Sequence, residues 1–170
     1  MPSISFRELQ KVDLPILHNW LNRPHMRAFY QTKPVTLKEV FAKYEPRLKG
    51  QLPVRTHVTL CDGLPIGKMQ CYLIQDYPKY AAEIGIPCGI SLDLFIGDEK
   101  FLGKGIGSQM LKAYIDQIAL PSFPHEKTIY LCHETNNVTA IATSKSVGFK
   151  FLGNVMEEGK LSSVFSLSRT

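Results

Sequence analysis

Apolar and polar residues alternate from Ile4 to Leu9, the period of a strand with one buried face. The period lengthens after Asp13-Leu14-Pro15, where an acid stands at a helix N-cap and a proline in the first turn. Leu14, Leu17, Trp20 and Leu21 then share a helix face, and Pro24 is expected to end it. His25 to Tyr30 predicts a short helix or turn, and Thr36-Leu37-Lys38-Glu39 is a capping box opening a helix to about Leu48. Val54 to Cys61 and Ile66 to Ile74 predict strands joined by the turn Asp62-Gly63-Leu64-Pro65. Gln75 to Gly89, with its prolines and tyrosines, is expected to be a long substrate loop. Strands follow at Ile90 to Ile96, Lys127 to Cys132, Phe149 to Val155 and Leu161 to Leu167. Helices are expected after Ser108 and from Asn137 to Ser146, and strands interleaved with helices give a mixed α/β sheet.

The stretch from Ile90 to Leu111 organises the rest: strand, polar turn, glycine loop, helix. Gly103, Gly105 and Gly107 at alternate positions leave backbone N–H groups unscreened where a helix begins and those groups lack intrahelical partners. Such an end favours an anion, and phosphate is the usual one. The Walker pattern fails because Gly105 follows Gly103-Lys104, and the dinucleotide fingerprint fails because Gly107 comes one residue too soon. Taken alone, the loop is equally compatible with a flexible lead-in to an amphipathic helix. One strand residue before it is anomalous. Asp93 is an acid within an apolar run, costly unless it has a partner or a task, though the solvent face of the strand would also accommodate it.

Leu102-Gly103-Lys104-Gly105-Ile106-Gly107 resembles the acyl-CoA pyrophosphate loop, Arg/Gln-x-x-Gly-x-Gly/Ala, of the GCN5-related N-acetyltransferase (GNAT) superfamily, with Leu102 departing from the usual Arg or Gln. Asn137-Val138-Thr139-Ala140-Ile141 and Gly148-Phe149 resemble its second mark, Asn-x-x-Ala-Ile…Gly-Phe. The aminoglycoside 6′-N-acetyltransferase branch is similar in further features: Trp20-Leu21-Asn22-Arg23 with His25, Gly67 and Gln70 in the Pro-Ile-Gly strand, and Asp93 ahead of the glycine loop. The resemblance spans nearly the whole chain. It implies one domain over residues 1–170, built on a mixed, mostly antiparallel sheet of six to seven strands flanked by helices.

The resemblance also implies acetyl-CoA as cofactor and a primary amine as acceptor. Its pyrophosphate would rest on the amides of Leu102, Gly103, Lys104, Gly105, Ile106, Gly107 and Ser108, and its arm on the backbone of Leu94, Phe95 and Ile96 and on Asn137. Asp93 stands where the 6′-acetyltransferases carry their catalytic acid and would take the ammonium proton. The tyrosine that often protonates the leaving thiolate is replaced by Ser144, leaving water, Tyr130 or Tyr114 as donors. A polycationic acceptor needs carboxylates and aromatic faces, for which Phe29, Tyr30, Tyr44, Gln70, Asp76, Glu83 and Glu134 are candidates. Tyr30 and Tyr44 fall where aminoglycoside enzymes have pocket aromatics, and would equally serve as helix residues packed on the sheet. The acid these enzymes keep just after the fifth strand is absent at Cys132-His133, with Glu134 displaced by two. Direct transfer is expected over a covalent route through Cys132, because neighbours in a strand face opposite ways. The acceptor is expected to be an aminoglycoside 6′-amine, with another small amine, a protein amine or a non-catalytic CoA-binding role as alternatives.

Composition changes this picture little. The 170 residues are 44% hydrophobic and 21% charged, ordinary for a globule, and the net charge of +5 is scattered rather than striped as nucleic-acid binding requires. It fits a polyanionic cofactor. The four cysteines and five histidines have no metal spacing, so no metal is expected. No apolar run reaches the roughly 18 residues of a membrane span, and MPSISFRELQ lacks a signal-peptide pattern, so a cytoplasmic protein without membrane partners is expected.

Overall fold

The structure, a computed structural model, describes residues 1–169. The chain runs β1 (Ile4–Glu8), α1 (Leu14–Leu21), α2 (Pro24–Phe29), α3 (Leu37–Leu48), β2 (Val54–Cys61), β3 (Leu64–Leu73), α4 (Pro78–Ile84) and β4 (Ile90–Ile96). It continues as α5 (Ile106–Tyr114), β5 (Thr128–Glu134), α6 (Val138–Val147), β6 (Lys150–Glu157) and β7 (Lys160–Ser168). The seven strands form one sheet in the order β1-β2-β3-β4-β5-β7-β6. β4 and β5 are parallel, with Ile90 opposite Ile129 and Ser91 opposite Tyr130. β1 with β2, β5 with β7 and β6 with β7 are antiparallel, so the sheet is mixed and mostly antiparallel as expected. The residues form two compact units: residues 1–70 with 94–107, and residues 71–93 with those from 108 onward.

In the first unit, Leu9, Leu14, Leu17, Trp20, Leu21, Met26, Val40, Tyr44, Val58 and Phe95 form one buried cluster. Four of these are the predicted face of α1. Asp13 does not cap that helix with its side chain. It is buried instead against Arg7, whose Nη1 and Nη2 each donate to a carboxylate oxygen at 2.7 Å, and it takes the Gln10 amide at 2.8 Å. α1 ends at Leu21, and Pro24 opens α2 rather than closing α1, because a proline at the first helical position gives up an N–H that has no partner there. α3 begins as predicted, with Thr36 Oγ1 accepting from the Glu39 amide at 3.2 Å and Glu39 Oε2 accepting from the Thr36 amide at 2.7 Å.

The second unit corrects the loop expected over Gln75 to Gly89. Pro78–Ile84 is helical, with proline in its first turn and Gly85 left-handed at its end. Gln75 ties the segment down: Oε1 accepts the Gly89 amide at 3.2 Å and Nε2 donates to Glu126 at 2.7 Å. α5 runs on through a wide π turn, Ile115–Ala119, into Leu120–Ser122. Pro121 has no N–H for the carbonyl a turn earlier and would collide with it, a strain such a widened turn relieves.

Candidate functional site

The glycine loop belongs to the first unit. Gly103 and Gly105 have φ of 68° and 74°, left-handed values that a side chain resists, with open space around both. Leu102 to Gly105 are exposed. Ile106 ends the exposure: it is buried with Cys61 and Ile66, with Ile4, Ile96 and Phe101 against them, and so fixes where α5 begins. The glycines are thus exposed on an anchored base, with Lys104 exposed beside them. That combination fits a diphosphate.

The end of β4 in this unit is held from two sides. Gly67 lies so close to the Phe95 carbonyl that a side chain there would collide with it. His25 Nε2 donates to the Ile96 carbonyl at 2.9 Å, which fixes the proton on that nitrogen. Nδ1 of the same ring is buried without a partner among the described residues, leaving an acceptor for a donor group. The Ile96 carbonyl thus already accepts one hydrogen bond. Asn22 braces the same region, its side chain accepting from the Val35 amide at 3.0 Å and donating to the Val35 carbonyl at 2.8 Å.

Three predicted acceptor residues of this unit surround an internal cation. Lys68 Nζ, on β3, donates to Tyr30 Oη at 2.7 Å, Tyr44 Oη at 3.3 Å and Gln70 Oε1 at 3.2 Å. Arg47 Nη1 donates to the same Gln70 oxygen at 2.6 Å. Burial would raise the Tyr44 phenol, but Lys68, Lys43 and Arg47 bring it below its ordinary value. Phe29, the other aromatic candidate, is partly exposed.

The second unit holds Asp93, half-buried on β4, and its field reaches three neighbours. Tyr72 is pushed up to about 12 by burial, with Asp93 and Glu157 adding to the shift. Burial brings His133 down to about 4, against the pull of Asp93. Glu157 is raised by burial, an effect partly offset by hydrogen bonds from Tyr80 and Cys132. Tyr80 Oη donates to Glu157 Oε2 at 2.7 Å and lies 3.6 Å from Cys132 Sγ. Cys132 itself is pushed up to about 12 by burial and by Glu157. Phenols, thiol and imidazole are thus uncharged at neutral pH. The shell offers a cation carboxylates and hydroxyls, and no thiolate nucleophile.

The remaining predicted residues of this unit are already engaged or lie apart. Ser108 Oγ is 2.7 Å from Ser146 Oγ, whose own proton goes to the Thr143 carbonyl at 2.6 Å, so Ser108 is the donor there. Asn137 Oδ1 caps α6 through the Ala140 amide at 3.3 Å. Glu134 pairs with Lys160 at 2.7 Å, and Glu83 accepts the Glu158 amide at 2.6 Å. Asp76 is exposed after β3. Ser144, nearly fully buried, meets His133 Nε2 at 2.7 Å, while Tyr114 is buried and donates to Cys71 Sγ at 3.5 Å. Neither is placed to give a proton to a ligand. Among the described residues, no group of three His, Cys, Asp or Glu could hold a metal, and no helix is long and apolar enough to cross a membrane.

A family model described as "Acetyltransferase (GNAT) domain" matches residues 10–156. The chain belongs to the GNAT family. A curated GNAT relative, aminoglycoside N(6′)-acetyltransferase type 1 of Klebsiella pneumoniae, is 27% identical over 157 residues, 90% of this chain and 77% of its own length. Spermine/spermidine N(1)-acetyltransferase of Bacillus subtilis (strain 168) is 41% identical over 69 residues, 41% of this chain and 44% of its own length. The crystal structure of aminoglycoside acetyltransferase AAC(6′)-Ib in complex with coenzyme A superposes with a TM-score of 0.87 at 25% identity, covering 98% of this chain and 95% of that one. The same enzyme is known with paromomycin and acetyl-CoA, again at a TM-score of 0.87 and 25% identity, over 98% of this chain and 94% of that one.

Sequence reasoning missed Lys68, Arg47, Tyr72, Tyr80 and Glu157. Lys68 left one signal, a charge between Gly67 and Met69 in a strand with no other charged residue. Glu157 left none, because its approach to Tyr80 depends on contacts across 77 positions of sequence.

Proposed function

We propose that the chain transfers the acetyl group of acetyl-CoA to a primary amine, directly and without an acyl-enzyme. The observation that carries this is the left-handed pair Gly103 and Gly105 ahead of α5, in a chain of the GNAT family. Acetyl-CoA supplies an acyl group activated as a thioester. The amides from Leu102 to Ser108 hold its diphosphate, and Leu94, Phe95 and Ile96 with Asn137 hold its arm. A strand amide donates to the carbonyl oxygen as that atom gains charge. Asp93 accepts the ammonium proton, directly or through a water, and its charge draws the cation in. The raised thiol of Cys132 argues against a covalent route; with Ser144 bonded to His133 and Tyr114 to Cys71, the leaving sulfur takes, through water or Tyr130, the second proton that the attacking nitrogen sheds.

The acceptor favoured by the relatives is the 6′-amine of an aminoglycoside. A polyamine is the second reading, favoured by the partial match to the spermine/spermidine enzyme. Turnover measured by thiol release on a panel of aminoglycosides, polyamines and peptides decides between them. Asp93→Asn should lower kcat at least tenfold while calorimetric binding of acetyl-CoA stays within twofold. Full activity in that variant would remove Asp93 as the base. Failure of the wild type to bind acetyl-CoA would remove the reading altogether.

A further inference from the structure

β6 ends the strand order, and among the described residues β7 is the one strand that pairs with it. An outer strand presents a row of backbone donors and acceptors that another strand can use, and proteins blunt such edges with prolines or with charges along their length. This edge has no such guard in its middle. Between Lys150 and Glu157 it reads Phe-Leu-Gly-Asn-Val-Met, and Phe151, Leu152 and Met156 are each more than half exposed. α4 meets the strand at its far end, where Tyr80 bonds the Glu157 carboxylate and Glu83 the Glu158 amide. The one irregularity is a bulge at Leu152, between Phe151 opposite Phe165 and Gly153 opposite Val164. A bulge can end pairing at an edge, but here Gly153 to Glu157 continue in regular register with β7. Its extra residue shifts the phase of the strand. Phe151 and Met156, which a regular strand would turn to opposite faces, therefore share one face with exposed Leu161.

We propose that β6 is a homodimer interface, at which two copies of this chain join edge to edge with their β6 strands antiparallel. The order of residues on the strand is self-complementary for that occupant. With a two-fold axis at Asn154, and Phe151 and bulged Leu152 counted as one position, Phe151 lies opposite the second copy's Met156. Lys150 lies opposite its Glu157, with exposed Glu158 next along the chain. Apolar groups then meet on one face of the extended sheet and opposite charges on the other, the pairings that stabilise neighbouring strands. The contact uses the same patch on both copies, so it closes at two.

Sedimentation equilibrium of the wild type, from low micromolar to about 0.5 mM, tests this. The mass should rise with concentration and level at that of two chains. Met156→Lys, which sets a charge in the apolar row, should raise the dissociation constant at least tenfold. Lys150→Glu should do the same by bringing like charges together, and Glu158→Lys added to it should recover most of the loss. At dilutions where the wild type is monomeric, all the variants should melt with it, which separates lost association from lost folding. Hydrogen exchange needs no variant: the amides of Gly153 to Met156 should exchange more slowly in concentrated than in dilute wild type. A wild type monomeric throughout, a mass growing past two chains, equal exchange at both concentrations or a dimer indifferent to Met156→Lys overturns the proposal. A dimer weakened by Lys150→Glu and not recovered by the charge exchange overturns the antiparallel register.

Discussion

The imidazole of His133, held neutral by burial and bonded to Ser144, titrates far below a free histidine. An unfolded chain takes up this proton near pH 6.5, whereas the folded one resists until about pH 4. The stability it contributes is therefore complete above pH 6.5 and is lost as pH falls toward 4. The loss amounts to roughly 3 kcal/mol across that window. His133→Gln, which keeps a hydrogen-bonding group for Ser144, should flatten the dependence of the melting midpoint on pH between 6.5 and 4. An unaltered slope would assign the acid sensitivity elsewhere. Asp13 acts in the same sense at lower pH. Burial would raise its carboxyl, but the Arg7 and Gln10 bonds carry it below the usual value, so its stabilising pair dissolves only as pH falls through that depressed value. At this scale the sequence was legible where a residue breaks a local rule, as Asp93 does in its apolar strand. It was silent about Tyr80 and Glu157, ordinary residues made unusual by what folding brings beside them.

Elements with strong local signals were readable: α3, from its cap Thr36 onward, the four apolar positions of α1, and the glycine-to-helix transition. Thr36→Ala should cost about 1 kcal/mol by removing the capping hydroxyl, read as a lower midpoint in urea with unchanged slope. α4 was missed because seven residues give too few turns for a period to show, and Pro78 marks a loop as well as it marks a first helical turn. The π turn was invisible for a similar reason, since Pro121 announces strain without saying how the backbone relieves it. Gly105→Ala imposes a side chain on a φ of 74°, at a cost of about 1–2 kcal/mol. On the proposed reading, in which the loop holds the diphosphate and Asp93 takes the proton, its expected result is a KM for acetyl-CoA raised at least threefold with kcat little changed. A fall in kcat alone would argue that the loop has a different role.

For the molecule as a whole, the sheet class was legible but the strand order was not. β7 lies between β5 and β6, pairing Cys132 with Val164 on one side and Asn154 with Ser163 on the other. Alternation identifies strands but carries no information on which distant strand each one meets. Net charge is a property of the same scale. At +5, the surface should attract polyanionic acetyl-CoA over a range that salt shortens. KM for acetyl-CoA should climb between low ionic strength and about 0.5 M salt while kcat holds, and a KM indifferent to salt would confine recognition to the loop itself.

The cysteines bear on how any of this is measured. Cys61 and Cys71 are buried, Cys132 is a half-covered thiol that holds its proton to about pH 12, and Cys88 alone is exposed among the described residues. A disulfide dye added to follow coenzyme release should therefore consume one equivalent of enzyme at once and then report product only. Cys88→Ser would give a silent background, making the slowest acceptors on the panel measurable.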